Sequence, residues 1–245
     1  DPQRAEALVE RAAEADPANV AALKARVVGL RKRGESATLL ETLERLVPAT
    51  EDADEASLLR LELASLASAA GREPLAREML EAVVARGTSG AGYAEALEAL
   101  EPLLTTEPGR LAEVRLARAE LLSNAERREL LLAASREFEA AGRIPEALRA
   151  AREAVSSEPD VEALKWVSAL HAAAEEPGRA AQALLQAARL AYSAQRPALL
   201  LEAAGLWESA GENAEALEVL ERVASEAPDT LSPAELAGRF QRLGS

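Results

Sequence analysis

Three features of the sequence contain residue types that could do chemistry. The single histidine, His171, could act as a general base or take a proton from a serine. The acidic segment at residues 51–55 carries Glu51, Asp52, Asp54 and Glu55, which could hold a hard cation such as calcium. A basic cluster could hold an acidic peptide segment; its members are Lys24, Arg26, Arg31, Lys32 and Arg33.

Each feature also has a structural interpretation, and we favour it in all three cases. His171 has no nucleophile motif beside it, which is typical of a packed histidine. The acidic segment lacks the spacing and the glycine of the helix–loop–helix calcium motif, and its carboxylates can stabilise the N-terminus of the next helix. The basic cluster stands just before Gly34, where a helix is expected to end, so its charges can complement the helix C-terminus.

Composition excludes several other chemistries. Without cysteine and with one histidine, the chain cannot form a disulfide, a thiolate nucleophile, a Cys-ligated zinc site or a multi-histidine cage. The sequence also has no glycine-rich phosphate loop, nucleophile elbow or paired zinc-ligand motif. We therefore predict that these 245 residues have no enzymatic activity and use no cofactor or metal.

The charge balance restricts the partners. The formal net charge is −14, whereas nucleic acids and anionic membranes are bound mainly through Lys and Arg. No apolar run reaches the roughly 18–20 residues of a membrane-spanning helix, and the first residues include no apolar targeting segment. We expect a protein or peptide partner, no nucleic acid and no direct membrane insertion. A cytoplasmic location is favoured, although the lack of cysteine also permits an oxidising compartment.

The residues above must be positioned by helices. The chain has 58 alanines and only six aromatic residues, a composition that favours helix over sheet. Residues 144–159 have apolar residues at steps of three and four and end at a proline, which stops a helix. The segments at 128–142 and 198–211 end at glycine, which can close a helix in the left-handed conformation. The repeating unit is therefore helix, glycine turn, helix, proline turn.

This arrangement resembles the tetratricopeptide repeat family. Its motif of about 34 residues has large residues at positions 4, 7, 11 and 24, small ones at 8, 20 and 27, and proline at 32. Residues 128–161 match it with Leu131, Ala134, Ser135, Phe138, Gly142, Ala147, Ala151, Ala154 and Pro159; residues 197–230 match it with Leu200, Ala203, Ala204, Trp207, Gly211, Ala216, Leu220, Val223 and Pro228. Position 11 holds Phe138, His171, Trp207 and Phe240, so the histidine takes the place of a packed ring.

The resemblance implies an all-α fold, a right-handed superhelical solenoid of antiparallel helix pairs, in a single array of about seven repeats. The residues at position 20 are Ala5, Leu39, Ala76, Ala147, Ala180 and Ala216, and a gap of about two repeats after Ala76 predicts an atypical repeat. The predicted boundaries are 1–17 (a half repeat), 18–52, 53–91, 92–126 (atypical), 127–160, 161–196, 197–230 and 231–245 (a terminal helix).

Two segments depart from a regular array. In the atypical repeat we expect helices near 93–105 and 109–124, with Pro102 kinking the first or ending it early. The array begins on a second helix and stops on a first helix, so we expect the chain to be a piece of a longer array or of a larger protein. Alternatively, the helix at 232–243 is a C-terminal cap.

The resemblance also implies a binding surface, because positions 2, 5, 9, 12 and 13 of the first helices line the concave groove of this family. The predicted groove residues are Lys24, Arg31, Lys32, Leu61, Ser65, Leu132, Arg136, Glu139, Lys165, Ala169, Leu201 and Glu208. Family members that bind acidic C-termini have Lys at 5 and Asn at 9, but here Val28 and Ala169 follow the two lysines. Small side chains with scattered leucines better suit an amphipathic helix or an extended segment.

We therefore predict a non-catalytic scaffold or adaptor that binds a peptide or helix of a protein partner in this groove. Two alternatives remain open. The repeats could be the regulatory or substrate-recruiting arm of a larger enzyme or assembly. They could also form a homotypic scaffold that self-associates through its terminal helices.

Overall fold

The computed structural model describes residues 2–16, 19–228 and 230–244, and this part of the chain is all-α, with no strand. The helices are α1 Pro2–Ala15, α2 Val20–Arg33, α3 Ser36–Ala49, α4 Ala53–Ala69, α5 Glu73–Val84, α6 Tyr93–Leu100, α7 Pro108–Glu120, α8 Asn124–Ala140, α9 Ile144–Ser157, α10 Val161–Ala173, α11 Pro177–Leu190, α12 Arg196–Ala210, α13 Asn213–Glu226 and α14 Pro233–Leu243. The all-α fold class is confirmed.

The helices form two compact units. The N-terminal unit comprises Asp1–Thr106, with α1 to α6, and the C-terminal unit comprises Glu107–Ser245, with α7 to α14. Within each unit, every helix packs against the next one along the chain, as in a solenoid of helix pairs. The repeat boundaries stay a prediction, and the boundary at residues 17 and 18 lies outside the described residues.

Tight left-handed turns join the two helices of a pair. The residue at position 15 of the repeat has a φ between 71° and 76° where it is Gly34, Gly71, Gly142 or Gly211. The next N–H then donates to the carbonyl of position 11, as from Arg143 to Phe138 at 2.8 Å. Glu175 occupies the same position of the sixth repeat with a φ of 58°, and the N–H of Glu176 donates to His171 at 2.9 Å. The turn therefore forms even where the glycine is missing.

Small residues let the helices of each pair approach closely. Ala76, Ala147, Ala180 and Ala216 are all completely buried, as predicted for position 20; the side chain of Ala5 lies outside the described residues. Two of the crossings also have a buried hydrogen bond: the hydroxyls of Ser135 and Ser168 donate to the carbonyls of Ala147 and Ala180, both at 2.8 Å. The sequence predicted the small residues, but it did not predict these bonds.

The prediction for position 11 is confirmed at three of its four residues. Phe138, His171 and Trp207 are 1%, 6% and 7% exposed. Phe240 is only partly buried, because it belongs to α14, which has no buried residue. This helix packs against the core of the C-terminal unit through partly covered apolar residues.

The segment around Pro102 behaves as its sequence indicates. Helix α6 ends at Leu100, and a short 3-10 turn over Glu101–Leu104 contains the proline. The expected helix near 93–105 is therefore shortened, which confirms the early end. Helix α7 also ends sooner than expected, at Glu120, and packs against α8.

At Gly92 the backbone lies close to the side chain of Leu61, so a substitution there tests the packing of the N-terminal unit. It has a φ of 79°, and a Cβ there would lie 2.3 Å from Cδ1 of Leu61. At Gly71, with a φ of 72°, a Cβ would meet nothing within 4 Å. We expect Gly92→Ala and Gly71→Ala each to lose about 1–2 kcal/mol to the left-handed backbone. Gly92→Ala should lose about 0.5–1.5 kcal/mol more, because the half-buried Leu61 side chain must rotate away from the new methyl group.

Urea unfolding of the two glycine variants, followed by far-ultraviolet circular dichroism, measures this difference. Because the two positions share the backbone penalty, the difference between them reports the contact with Leu61. Equal unfolding midpoints would mean that the leucine side chain moves aside freely and that no close packing exists there.

Candidate functional site

The first helices of consecutive pairs lie side by side, and side chains about one repeat apart join them. In the N-terminal unit, Nζ of Lys24 on α2 donates to Oε2 of Glu55 at 2.6 Å, and Glu55 lies in the first turn of α4. In the C-terminal unit, Nε1 of Trp166 donates to Oγ of Ser135 at 2.8 Å, which joins α10 to α8. These helices present a shared face, which we call the first-helix surface: α2 and α4 in one unit, and α8, α10 and α12 in the other.

All twelve predicted groove residues are accessible to solvent. Five lie in the N-terminal unit, namely Lys24, Arg31, Lys32, Leu61 and Ser65, and seven lie in the C-terminal unit, namely Leu132, Arg136, Glu139, Lys165, Ala169, Leu201 and Glu208. Each is half-buried or exposed, and none belongs to the core. The role of these residues in binding a partner stays a prediction.

The cations of the basic cluster are partly neutralised by α4. Besides the bond between Lys24 and Glu55, Nε of Arg31 donates to Oε1 of Glu62 at 2.7 Å. This hydrogen bond raises the pKa of Arg31 above its usual value. Lys32 is exposed and forms no hydrogen bond or ion pair with a described residue. An acidic peptide bound here would have to compete with carboxylates that are already in place.

The carboxylates of the acidic segment have structural roles. Asp52 caps α4, since its Oδ1 accepts the N–H of Glu55 at 2.7 Å. Asp54 pairs with Nη2 of Arg86 at 2.9 Å. Within the described ranges, no group of three or more acidic or histidine side chains is placed to hold a metal ion. The structural interpretation of Asp52 as a helix-terminus residue is confirmed.

In the N-terminal unit, the first-helix surface contains a cleft. Its volume is about 570 Å³, and it lies between α4 and the segment formed by α6 and the 3-10 turn. Leu61 and Ser65 line it from α4, opposite Ala99 and Leu103. The structure thus brings these two predicted residues together in a mainly apolar depression, large enough to accept side chains of a bound segment.

In the C-terminal unit, the first-helix surface has half-buried leucines and mixed charges. Leu132 and Leu201 are half-buried, and Nζ of Lys165 lies 3.2 Å from Oε1 of Glu162. Glu208 is not free, because Nε of Arg239 on α14 donates to its Oε1 at 2.7 Å. Sequence reasoning missed this pair, which fixes the carboxylate between α12 and α14.

His171 is a packed histidine, as predicted. Its Nδ1 lies 2.7 Å from Oε2 of Glu176, and Nη1 of Arg179 donates to the other carboxylate oxygen at 2.9 Å. These partners, with the His171 hydrogen bond as the larger cause, lower the pKa of Glu176. Among the described residues no serine bonds to the ring, so the relay considered from the sequence is not assembled.

Arg143 forms a second charged cluster that the sequence did not indicate. Its guanidinium lies 4.8 Å from the centroid of the Phe138 ring. Its Nη1 donates to Oε1 of Glu113 at 2.8 Å and its Nε to Oε1 of Glu146 at 2.9 Å, and these bonds lower the pKa of both carboxyls. Because folding lowers the pKa values of Glu113 and Glu146, the two pairs stabilise the folded state at neutral pH. This stabilisation is lost as the pH falls through the lowered pKa values.

These observations define a class: an all-α helical-repeat protein with small residues at its helix crossings, left-handed turns within its pairs and a continuous row of first helices in each unit. The pairing is that of tetratricopeptide-type repeats. The described residues include no helix long and apolar enough to cross a membrane.

One match among solved structures agrees with this fold. Over 97% of its length the chain matches a chain in the structure of Naa15/Naa10 bound to HypK-THB, with a TM-score of 0.54 and 12% identity, and it spans 36% of that chain. A tetratricopeptide repeat protein from Parabacteroides merdae matches with a TM-score of 0.41 and 14% identity, covering 98% of this chain and 91% of its own. YrrB, a TPR protein with an unusual peptide-binding site, matches with a TM-score of 0.36 and 14% identity, covering 96% and 97%.

No protein-family model matches the sequence, and no curated protein matches it significantly. The chain has an all-α helical-repeat fold, and its function has to be argued from its own surfaces.

Proposed function

We propose that the chain is a protein-interaction scaffold that binds a peptide or helix of a partner on its first-helix surface. The observation that supports this most is the accessibility of every predicted groove residue, with Leu61 and Ser65 brought together at an apolar cleft. Apolar anchors of a bound segment would supply affinity there, while charges at the edge of the surface would set its register.

The chemistry of the surface favours an amphipathic segment over a free acidic C-terminus. Val28 and Ala169 stand where a carboxylate-binding surface would need an amide donor, and Lys24 is held by Glu55. Leu132 and Leu201 are half-buried, so each leaves apolar surface for a partner to cover. The match to a chain in the structure of Naa15/Naa10 bound to HypK-THB fits a role in binding proteins but does not identify this partner.

A charge-reversal variant tests the proposal. We expect the triple variant Leu132→Glu, Leu201→Glu and Lys165→Glu to lose most partner recovery in a pull-down from the source cells, because it removes two apolar anchors and reverses a charge. Lys165 is exposed, whereas Leu132 and Leu201 are half-buried against the core, so the variant has to be shown to be folded before its recovery is compared. Quantitative mass spectrometry of the recovered proteins, with circular dichroism of the variant, gives the result.

The matched control carries the same kinds of change away from this surface. Leu121 and Leu190 are 42% and 50% exposed, and Arg189 is exposed. The variant Leu121→Glu, Leu190→Glu and Arg189→Glu should recover partners as the parent does. If the groove variant is folded and recovers them equally well, the first-helix surface is not the binding site.

A further inference from the structure

The second helices of the C-terminal unit flank an open cleft whose lining is partly polar and partly apolar. It lies between α9 and α11, and residues of α10 form its floor. Two adjoining cavities, of about 450 and 800 Å³, make up this cleft, which we call the second-helix cleft. Arg152, His171 and Arg179 line both cavities, so they stand at the centre of the cleft. None of the predicted groove residues lines it.

The floor of the cleft is a histidine whose orientation is fixed. His171 is 6% exposed, and its Nδ1 is engaged by Glu176, which Arg179 holds from the other side. No other hydrogen bond to this ring is formed by a described residue, so Nε2 has no partner within the described part of the chain. A buried ring with one nitrogen held and the other left for the cleft is a pre-organised polar contact for a ligand.

The cations at the rim outnumber the available anions. Arg149 and Arg152 are exposed, stand one turn apart on α9, and form no hydrogen bond or ion pair with any described residue, although Arg149 helps to lower the pKa of the Glu146 carboxyl. Both carboxylates of the cleft are already in use: Glu153 pairs with Arg127, and Glu176 pairs with His171 and Arg179. In a chain with a net charge of −14, this cleft is a local cationic site.

One end of the cleft is apolar. Ile144, Leu148 and Ala174 are half-buried and line the larger cavity beside Arg149 and Arg152. Gln182 and Gln186 line the smaller cavity, where they can serve a peptide backbone as donors and acceptors. The cleft thus offers apolar contacts in the larger cavity, amide contacts in the smaller one, and charged contacts where the two cavities meet.

We infer that the second-helix cleft binds an acidic peptide segment of a partner protein, with a carboxylate at Arg149 and Arg152, a backbone N–H donating to Nε2 of His171, and a neighbouring apolar side chain on Ile144 and Leu148. Charge complementarity favours this occupant, because neither arginine forms a hydrogen bond or ion pair with a described residue, so each can bind a carboxylate without displacing an internal one. The site is separate from the first-helix surface, so the two surfaces can be tested independently.

Peptide selection tests the inference. A phage library of random dodecapeptides is selected on the full chain, and the most enriched peptide is labelled with tetramethylrhodamine for fluorescence anisotropy. We expect enrichment of Asp or Glu next to Leu, Ile or Phe. The double variant Arg149→Glu and Arg152→Glu should weaken binding by at least about tenfold, since both changes reverse a charge at the contact. Replacing the acidic residues of the peptide with their amides should have a similar effect.

Two further variants separate the possible outcomes. His171→Phe keeps a ring like that of Phe138 in the same repeat position but removes both ring nitrogens, so the contact at Nε2 and the bond to Glu176 are lost. We expect weaker peptide binding by a chain that stays folded. Arg136→Glu reverses an exposed, unpaired cation on the first-helix surface and should have no effect. Selected peptides that lack acidic residues, or that bind the double variant unchanged, would overturn the inference. Loss of binding in Arg136→Glu alone would place the peptide on the first-helix surface instead.

Discussion

Replacing Phe138 with alanine is expected to lower the free energy of unfolding of the C-terminal unit by about 3–5 kcal/mol. The ring is 1% exposed and belongs to a buried cluster that includes Ala112 of α7, Ala151 of α9 and Leu170 of α10. Removing it would leave a cavity where four helices meet, because alanine-lined helices have few side-chain atoms that could fill the space. The ring also supports Arg143, which stacks on it.

Tryptophan fluorescence can report this loss selectively, because both tryptophans of the chain, Trp166 and Trp207, lie in the C-terminal unit. Urea unfolding followed at this signal should show a clearly lower midpoint for Phe138→Ala. The control Phe138→Leu retains most of the apolar volume and should lose less than half as much. An unchanged midpoint for the alanine variant would show that the ring is not a central packing element.

Much of this core could be predicted from the sequence, because the repeat phase depends on backbone geometry. A residue that must be small at a helix crossing, such as Ala147 or Ala216, recurs at a nearly fixed interval. The ring position recurs with it, which is why a packed His171 could be inferred from Phe138 and Trp207. Proline placement predicted the early end of α6 for a similarly local reason.

The pairing of charged side chains could not be predicted in the same way. Lys24 and Arg31 were expected to face a ligand, but carboxylates of the neighbouring first helix already hold them. Such pairs join residues about one repeat apart, and they depend on side-chain rotamers as well as on the repeat phase. The bond between Arg239 and Glu208 belongs to the same class. Surface charge in the sequence therefore overestimates the charge available to a partner.

The second-helix cleft escaped sequence analysis for a related reason. Its central residues come from three different helices, and the arginines there are unremarkable in a chain with so many exposed charges. What distinguishes Arg149 and Arg152 is that no described residue forms a hydrogen bond or ion pair with them, which only the packed arrangement reveals. A usable signal was present only at His171, where a polar ring occupies a position held elsewhere by Phe or Trp.

Replacing Ala147 with leucine is the second change for which we expect a large effect. Ala147 is completely buried, and its carbonyl accepts a hydrogen bond from the hydroxyl of Ser135. Helices α8 and α9 are therefore in close contact at this crossing, with no room for a larger side chain. The larger side chain should lower the free energy of unfolding by about 1–3 kcal/mol, because the helices must separate and the buried hydrogen bond must lengthen. Thermal unfolding, again followed by tryptophan fluorescence, measures the loss.

The second repeat shows why this effect depends on the crossing and not on the repeat position alone. There the same position holds Leu39, which is 6% exposed and packs in a buried environment of its own. A leucine is therefore compatible with the position where the surrounding side chains are arranged around it. In α9 they are arranged around alanine, with Ala134 and Ala151 completely buried nearby.

Ala172→Leu, at an exposed site on α10, is the matched control and should unfold like the parent. If Ala147→Leu also did so, the crossing would be able to relax as at Leu39, and the close approach would not be set by its alanine.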